Sequence, residues 1–224
     1  MYGVEIEVVR KPVKNMYLRV RGNSVVITAP ARLRLEEIRY FAAEKLEWIK
    51  KQLAARQSAA EPEYAYEHGE VHRLWGENVV IERILSPRAG ASLVCGAVQI
   101  SAPLGTTAQE ARALFESLCR AQLRSAVPPL LEKWQARLGV TCSSWRLRDM
   151  KSRWGSCNVK TGALCLNVQL VKKPPQCLEY VVVHELCHLL VPNHSPQFWA
   201  YVADCLPDWK RRRLLTNGLD QKAK

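Results

Sequence analysis

The first quarter of the chain alternates hydrophobic and polar residues. Residues 4–10 and 15–29 follow this alternation, and Gly22-Asn23 interrupts the second run, so the pattern predicts a β-hairpin. From about Leu35 to Ala55 the apolar residues recur at helical spacing, which predicts one helix. Residues 58–70 are polar, and we interpret them as a linker.

Short apolar runs after the linker predict a second group of strands. The last run leads through Ala102-Pro103 into a helix, as 25–28 leads through Ala29-Pro30, at a constant offset of 73 residues. This echo indicates either a duplicated strand–helix unit or two ordinary turns that share Ala-Pro, and two copies are too few to decide. The predicted strands lie near 71–75, 79–85, 93–95 and 98–101.

A long helix is predicted after these strands. Thr107 and Glu110 have the spacing of a capping box and mark its start. Pro128-Pro129 interrupts the predicted helix, which resumes to Leu138 and ends at Gly139.

Two further strands, 145–150 and 163–168, are predicted on either side of the turn-rich residues 154–162. They precede a helix whose start is marked by Pro174-Pro175. We predict that 163–168 is an exposed sheet edge, where an extended substrate can pair through main-chain hydrogen bonds.

The helix after Pro174-Pro175 carries the candidate chemistry. His184 and His188 are one turn apart and share a face, which is the geometry that gives one zinc ion two imidazole ligands. Glu185 lies on the flank of that face, where a carboxylate can act on a water at the metal without binding the metal itself. The alternative is a buried helix with hydrogen-bonded histidines. The metal is favoured because the helix is otherwise apolar, and unpaired polar groups are costly there.

His194 is predicted to be the third ligand. It follows His188 with the spacing of the metzincins, but the last methionine of the chain is Met150, so no downstream Met-turn exists. A carboxylate ligand further along would have to be Asp204 or Asp208. Because zinc accepts nitrogen ligands readily, we predict His184, His188 and His194 as the metal set, with Zn²⁺ as the cofactor and Mn²⁺ or Ni²⁺ also possible.

The second half of the chain resembles a known family. The matching segments are 150–157, 166–167, 180–186, 193–195, 198–199 and 207–208. They are similar to the YgjP-like metal-dependent hydrolases, bacterial zincin-type proteins related to WLM and SprT-like metallopeptidases. Cys187 departs from the family, in which a small residue such as Ala is usual. It indicates either an oxidation-sensitive site or simply a small buried thiol.

The resemblance and the patterns together predict an α+β fold. Residues 1–105 are predicted to form a β-rich N-terminal scaffold with helices, for which a duplicated strand–helix unit is one of the two alternatives above. Residues 106–224 are predicted to form a zincin-like catalytic domain. Phe198 and Trp199, on a helix predicted from Pro196 to Leu206, are expected to lie beneath the metal site.

Composition limits the classes of protein to consider. With 48% hydrophobic and 24% charged residues the chain is typical of a globular protein. It has no signal-peptide pattern, no membrane-spanning run and eight cysteines without a C-x-x-C pair, so we expect reduced thiols and a cytoplasmic location. The net charge of +12 predicts weak affinity for polyanions. The basic run 210–213 is interpreted as a solvated helix face.

Three functions remain open from the sequence. A zinc hydrolase of the metallopeptidase type, with Glu185 as general base, is predicted first. The resemblance also allows a nucleoside triphosphate (UTP) pyrophosphohydrolase, and the third alternative is a nucleic-acid-associated binding protein with a structural metal. The substrate is therefore a peptide or protein, or a nucleotide. Lys151, Arg153 and Asn167 are the candidate substrate-binding residues.

Overall fold

The computed structural model describes residues 5–21, 24–57 and 64–218. The chain forms two compact units, Met1–Glu63 and Tyr64–Lys224. The α+β fold is confirmed, since both units combine helices with mixed sheets. The predicted division into a scaffold, 1–105, and a catalytic domain, 106–224, is a division by function, and it stays a prediction.

The first unit contains a three-stranded sheet in which the third strand is central. The predicted hairpin is confirmed, because β3 pairs antiparallel with β2, whereas its turn at Gly22-Asn23 lies outside the described residues. The other edge of β3 pairs in parallel with β1. The strands are β1 (Ile6–Lys11), β2 (Tyr17–Arg21) and β3 (Ser24–Pro30).

Two helices follow this sheet where one was predicted. They are α1 (Leu35–Glu44) and α2 (Leu46–Gln57), separated by Lys45, whose φ of −96° and ψ of 4° leave the helical conformation. Each helix packs on its own hydrophobic cluster: Ile38 of α1 joins one cluster and Ile49 of α2 joins the other. The break therefore lets both apolar faces reach the sheet, a tertiary preference that helical spacing alone does not reveal.

The second unit begins with a four-stranded sheet of order β4-β5-β7-β6. All four strands predicted from the apolar runs are present. Their bounds are β4 (Val71–Leu74), β5 (Glu77–Leu85), β6 (Gly90–Val94) and β7 (Ala97–Ala102).

The sequence echo coincides with a shared pairing. Val20 lies opposite Val25 in the first unit, and Leu93 lies opposite Val98 in the second, at the same offset of 73 residues. However, the third sheet also places its last strand in the centre, and it has no such echo. A common strand order is therefore not enough to establish duplication, which stays a prediction.

The third sheet corrects two predictions. It has the order β8-β10-β9, with β8 (Ser144–Arg148), β9 (Gly155–Asn158) and β10 (Ala163–Asn167). The segment predicted as turn forms β9, which pairs antiparallel with β10. The prediction that 163–168 is an exposed edge is wrong, because β10 pairs on both sides and β9 is an edge of the sheet.

A single helix, α3 (Ala108–Leu138), crosses the second unit. The capping box of Thr107 with Glu110 and the left-handed Gly139 at its end are confirmed. The predicted interruption at Pro128-Pro129 is wrong. Both prolines and the residues four positions before them are exposed, so water can satisfy the carbonyls that lose their N–H partners.

The helix predicted to carry the chemistry lies in the core of the second unit. It is α4 (Pro175–Cys187), followed by α5 (Pro196–Cys205) and α6 (Trp209–Thr216). Helix α4 contacts α3, α5, α6 and strands β9 and β10. Its Val182, Val183 and Leu186 are fully buried, and each buried aliphatic side chain contributes about 1.5–3 kcal/mol to folding. The sheet and the other helices therefore hold this helix rigidly in place.

Two expectations from composition can be compared with the structure. All eight cysteines are free, as expected for reduced thiols. None of the helices in the described part of the chain has both the length and the apolar character needed to cross a membrane.

Candidate metal centre

Three histidine rings converge at the end of α4. His184 is in the last turn of the helix, His188 caps its C-terminus, and His194 lies in the loop before α5. One ligand nitrogen from each ring can be chosen so that all three lie within 4.8 Å of one another. Asn193 stabilises the turn of this loop, because its side-chain oxygen accepts a hydrogen bond from the Ser195 N–H.

The ring nitrogens suit a single cation. The Nε2 atoms of His184 and His194 are 3.0 Å apart, close to the separation of about 3.3 Å expected for neighbouring nitrogens around tetrahedral zinc. His188 Nδ1 lies 3.2 Å from the Val191 carbonyl oxygen, which orients the ring and leaves Nε2 for a metal. His184 Nδ1 is buried without a hydrogen-bond partner among the described residues. The donor set therefore fits a zinc ion with three imidazole ligands.

Burial favours the neutral, ligating form of these imidazoles. Burial first, and then the nearby His188, His194 and Arg213, together lower the pKa of His184 to about 3. Burial also lowers the pKa of His188, although its hydrogen bond to Val191 acts in the opposite direction. At neutral pH both rings are therefore neutral imidazoles, each with one unprotonated nitrogen that can bind a metal.

Aromatic side chains support the histidine cluster, as the sequence predicted. Phe198 of α5 is fully buried, with its ring centroid 4.5–4.9 Å from those of His184, His188 and His194. Trp199 stacks on His194 at 5.5 Å and on Trp209 at 4.3 Å. This packing restricts the orientation of the rings.

Glu185 lies beside the cluster and against a glycine of β9. Its side chain is 5% exposed, and burial raises its pKa to about 7, whereas Arg153 acts to lower it. A Cβ atom on Gly155 would lie 2.5 Å from Glu185 Oε1 and 2.8 Å from its Cγ. Only a glycine leaves room for the carboxylate here, and the sequence analysis did not identify this residue as part of the site.

A cleft of about 180 Å³ opens over His184 and Glu185. Tyr180 lies one turn before His184 on α4 and lines the cleft; burial raises its pKa to about 12, so the phenol stays protonated and can donate a hydrogen bond. Arg153, Trp154 and Gly155 form one wall, and Arg213, Thr216 and Asn217 of the α6 region form another. The sequence analysis did not assign Tyr180 to the site. It also missed the wall formed by α6, because that helix is distant in sequence from the histidines.

Comparison with known protein families assigns the chain to one family. The family described as "YgjP-like, metallopeptidase domain" matches residues 14–217. The chain belongs to the YgjP-like family. It is thus a metal-dependent hydrolase of a metallopeptidase family, as the resemblance predicted. No curated protein is significantly similar to it.

Two solved structures are similar to parts of the chain. One is the metallopeptidase zymogen abylysin of Pyrococcus abyssi, with 26% identity and a TM-score of 0.37, over 42% of this chain and 92% of that one. The other is the metallopeptidase zymogen jannalysin of Methanocaldococcus jannaschii, with 22% identity and a TM-score of 0.36, over 43% of this chain and 88% of that one.

The candidate substrate-binding residues occupy different places in this YgjP-like chain. Arg153 lines the cleft, whereas Lys151 is exposed in the preceding loop and is not among the residues that line it. Asn167 is buried, and its amide donates to the carbonyl oxygens of Met150 and Arg153 at 2.7 and 2.8 Å. Asn167 therefore shapes the loop that presents Arg153, while direct contact of Asn167 with substrate stays a prediction.

The other side chains considered from the sequence lie in separate contacts. Asp204 pairs with Arg137 at 3.0 Å, and Asp208 pairs with Arg212 at 2.8 Å, so neither carboxylate joins the histidine cluster. Cys187 is fully buried, and burial raises its pKa to about 12, with Cys205 acting in the same direction. This environment favours the small buried thiol over an oxidation-sensitive one.

The glycine beneath Glu185 leads to a testable prediction for the YgjP-like site. Gly155→Ala is expected to displace the Glu185 side chain, lowering kcat/KM at least about tenfold and stability by about 1–3 kcal/mol. Zinc content should stay near one ion per chain, because the nearest neighbours of the new methyl group are atoms of Glu185 rather than of a histidine. Gly90→Ala is the control, since a Cβ there meets open space. Equal activity and melting temperature in the Gly155 and Gly90 variants would contradict the role of the close contact.

An ion-pair network fixes α6 against α4. Glu179 accepts hydrogen bonds from Lys133 at 2.9 Å, Arg212 at 2.6 Å and the Trp134 indole at 3.2 Å. Burial by itself would raise the pKa of Glu179, but the hydrogen bonds from Lys133 and Arg212 outweigh it and hold the pKa below its usual value. The carboxylate form therefore links α3, α4 and α6.

This network predicts a pH-dependent stability difference. Because the folded-state pKa of Glu179 is below the usual 4.5, its contribution is complete above pH 4.5 and is lost as the pH falls through the folded value. Glu179→Gln is expected to lower the free energy of unfolding by about 2 kcal/mol at pH 7 and by less below pH 4. Chemical denaturation at both pH values checks this. Glu132→Gln, at an exposed position of α3, should change neither value.

Proposed function

We propose that this YgjP-like chain is a zinc-dependent peptidase. His184, His188 and His194 hold the zinc, and Glu185 is the general base that activates water for attack on a peptide bond. The observation that carries the proposal is the convergence of three ligand nitrogens within 4.8 Å beside a buried carboxylate. The family description as a metallopeptidase domain supports a peptide substrate.

The residues around the cleft have distinct roles in this proposal. When bound, zinc supplies a Lewis acid that polarises the scissile carbonyl and acidifies water. Glu185, held against Gly155, accepts a proton from the attacking water and passes it to the leaving amine. Phe198 and Trp199 keep the histidine rings oriented from below.

The substrate backbone is proposed to pair with β9. This strand is an edge of its sheet and packs against α4, and its Gly155 lies against Glu185 in the lining of the cleft. Pairing with an edge strand gives affinity that depends little on sequence, since main-chain atoms form the hydrogen bonds. The edge is thus β9, in place of the segment 163–168 predicted from the sequence.

A turnover screen tests the proposed function. The zinc-loaded protein is incubated with unstructured polypeptides and with a nucleotide panel, and the Glu185→Gln variant is the control. Peptide cleavage that is lost in the variant is the expected result. Cleavage that persists in the variant would indicate a contaminating protease and leave the protein without the proposed activity.

A nucleoside triphosphate (UTP) pyrophosphohydrolase is the second candidate function. Its support is the pair of arginines, Arg153 and Arg213, that line the cleft and could contact phosphate groups. Pyrophosphate release from UTP by wild type, absent in Glu185→Gln and accompanied by no peptide cleavage, would favour it over the peptidase. The weak polyanion affinity predicted from the charge of +12 would appear in either case as binding that falls with salt.

A further inference from the structure

Two guanidinium groups line the cleft from opposite sides. Arg153 lies in the loop before β9, and Arg213 lies on α6. Within the described residues, neither forms an ion pair or a side-chain hydrogen bond. In the part of the chain that the structure describes, Glu185 is the only carboxylate that lines this cleft. The cleft thus contains more positive than negative side-chain charge before any metal is bound.

The residue next to Arg213 on α6 is also an arginine, but it is paired with acidic side chains. Arg212 is 16% exposed and pairs with both Glu179 and Asp208. Arg213, the next residue, turns to the cleft, where its guanidinium carbon lies 5.1 Å from the centre of the Trp199 ring. Among the described residues, Glu179 and Asp208 thus pair with Arg212, which anchors α6, whereas Arg213 in the cleft has no carboxylate partner.

Several contacts fix the helix that carries Arg213 and the ring that it faces. The pair of Arg212 with Glu179 fixes α6 on α4, and the Trp154 indole donates a 3.2 Å hydrogen bond to the Asn217 side chain at the end of α6. The Trp199 ring that faces Arg213 itself stacks with both His194 and Trp209. A guanidinium on such a support loses less conformational entropy when it binds an anion than a freely rotating one does.

We infer that Arg153 and Arg213 form a carboxylate-binding subsite that selects peptides with an acidic residue next to the scissile bond. This inference rests on the proposed peptidase function and adds its substrate class. Planar guanidinium groups on two walls can each donate paired hydrogen bonds to a carboxylate, whereas an amide of the same shape offers one acceptor oxygen and no charge. The subsite therefore discriminates Glu from Gln and Asp from Asn.

Matched peptides test the subsite. Quenched fluorescent peptides that differ only by Glu or Gln beside the cleaved bond are compared by kcat/KM. The wild type is expected to prefer the acidic peptide by at least about tenfold. Arg213→Gln and Arg153→Gln should each reduce this ratio severalfold, mainly through loss on the acidic peptide. Arg211→Gln, at an exposed position of the same helix outside the cleft, should keep the wild-type ratio.

A binding measurement separates this inference from the proposed function. Fluorescence anisotropy with the Glu185→Gln protein should show tighter binding of the acidic peptide than of its amide twin, and Arg213→Gln in that background should remove the difference. Equal cleavage and equal binding of the two peptides would overturn the subsite and leave the peptidase intact. Cleavage of neither peptide, together with hydrolysis of UTP that needs Arg213, would overturn both in favour of a phosphate-binding cleft.

Discussion

A Glu185→Gln protein is expected to hydrolyse peptides at least about a thousandfold more slowly than the wild type. Glutamine has nearly the shape of glutamate, so it should keep the packing against Gly155, but its amide cannot take a proton from water. Because burial raises the pKa of Glu185 to about 7, the ionised carboxylate is an unfavourable buried group. A neutral amide removes that cost, and the variant should be at least as stable as the wild type.

Kinetics, metal analysis and calorimetry together check this result. The expected combination is lost turnover, one zinc per chain and an unchanged or higher melting temperature. Glu132→Gln, with the same chemical change at an exposed position of α3, should keep normal turnover. Retained turnover in the Glu185 variant would remove this residue from the mechanism, and lost zinc would show that the carboxylate serves the metal centre in another way.

A His194→Ala protein is expected to lose zinc affinity by more than about a hundredfold. Changes of residues that only support a ligand cost up to about a hundredfold, and loss of a ligand itself should cost more. His194 supplies the Nε2 atom 3.0 Å from His184 Nε2, and the described residues provide no further side chain in the cluster. Its ring is exposed in a loop, so the change removes little core packing. The apo-protein should therefore remain folded while its metal content falls.

Zinc content after dialysis against a weak chelator, with circular dichroism on the same samples, checks this expectation. His68→Ala is the matched control, because His68 is exposed and lies outside the cluster. Full zinc occupancy in the His194 variant would show that the ligand set is wrong. The loss should appear in metal content before any assay of activity, so this test does not depend on knowing the substrate.

Helix α4 shows how much of the site can be predicted from the sequence. The positions of His184, Glu185 and His188 depend on the helical repeat alone, so their common face can be predicted from three letters and a spacing. His194 needed a further assumption about the loop, and the structure places its ring 4.9 Å from that of His184. The capping box at Thr107 and the hairpin of β2 and β3 were predicted for the same reason, since each depends on residues close in sequence.

The errors share a different cause. Strand β9 has few β-branched or aromatic residues, and it forms because β10 offers it a pairing edge. β10 lies in the centre of its sheet because β8 pairs in parallel with the edge that β9 leaves open. Helix α3 continues through two prolines because the carbonyls four residues before them, which lose their N–H partners, lie at exposed positions. Helices α1 and α2 separate at Lys45 because each packs on its own hydrophobic cluster. Each outcome is decided by neighbours that local propensity does not include.

By itself, the amino-acid sequence determined the chemical identity of the site: a pair of imidazoles and a carboxylate on one helix, with a third imidazole close behind. Only the tertiary structure decided what surrounds that site. It placed Gly155 against Glu185, brought Arg213 and Asn217 from α6 to the cleft, and made β9 an edge beside it. The physical reason is range: helical spacing acts over a few residues, whereas packing joins segments that are tens of residues apart.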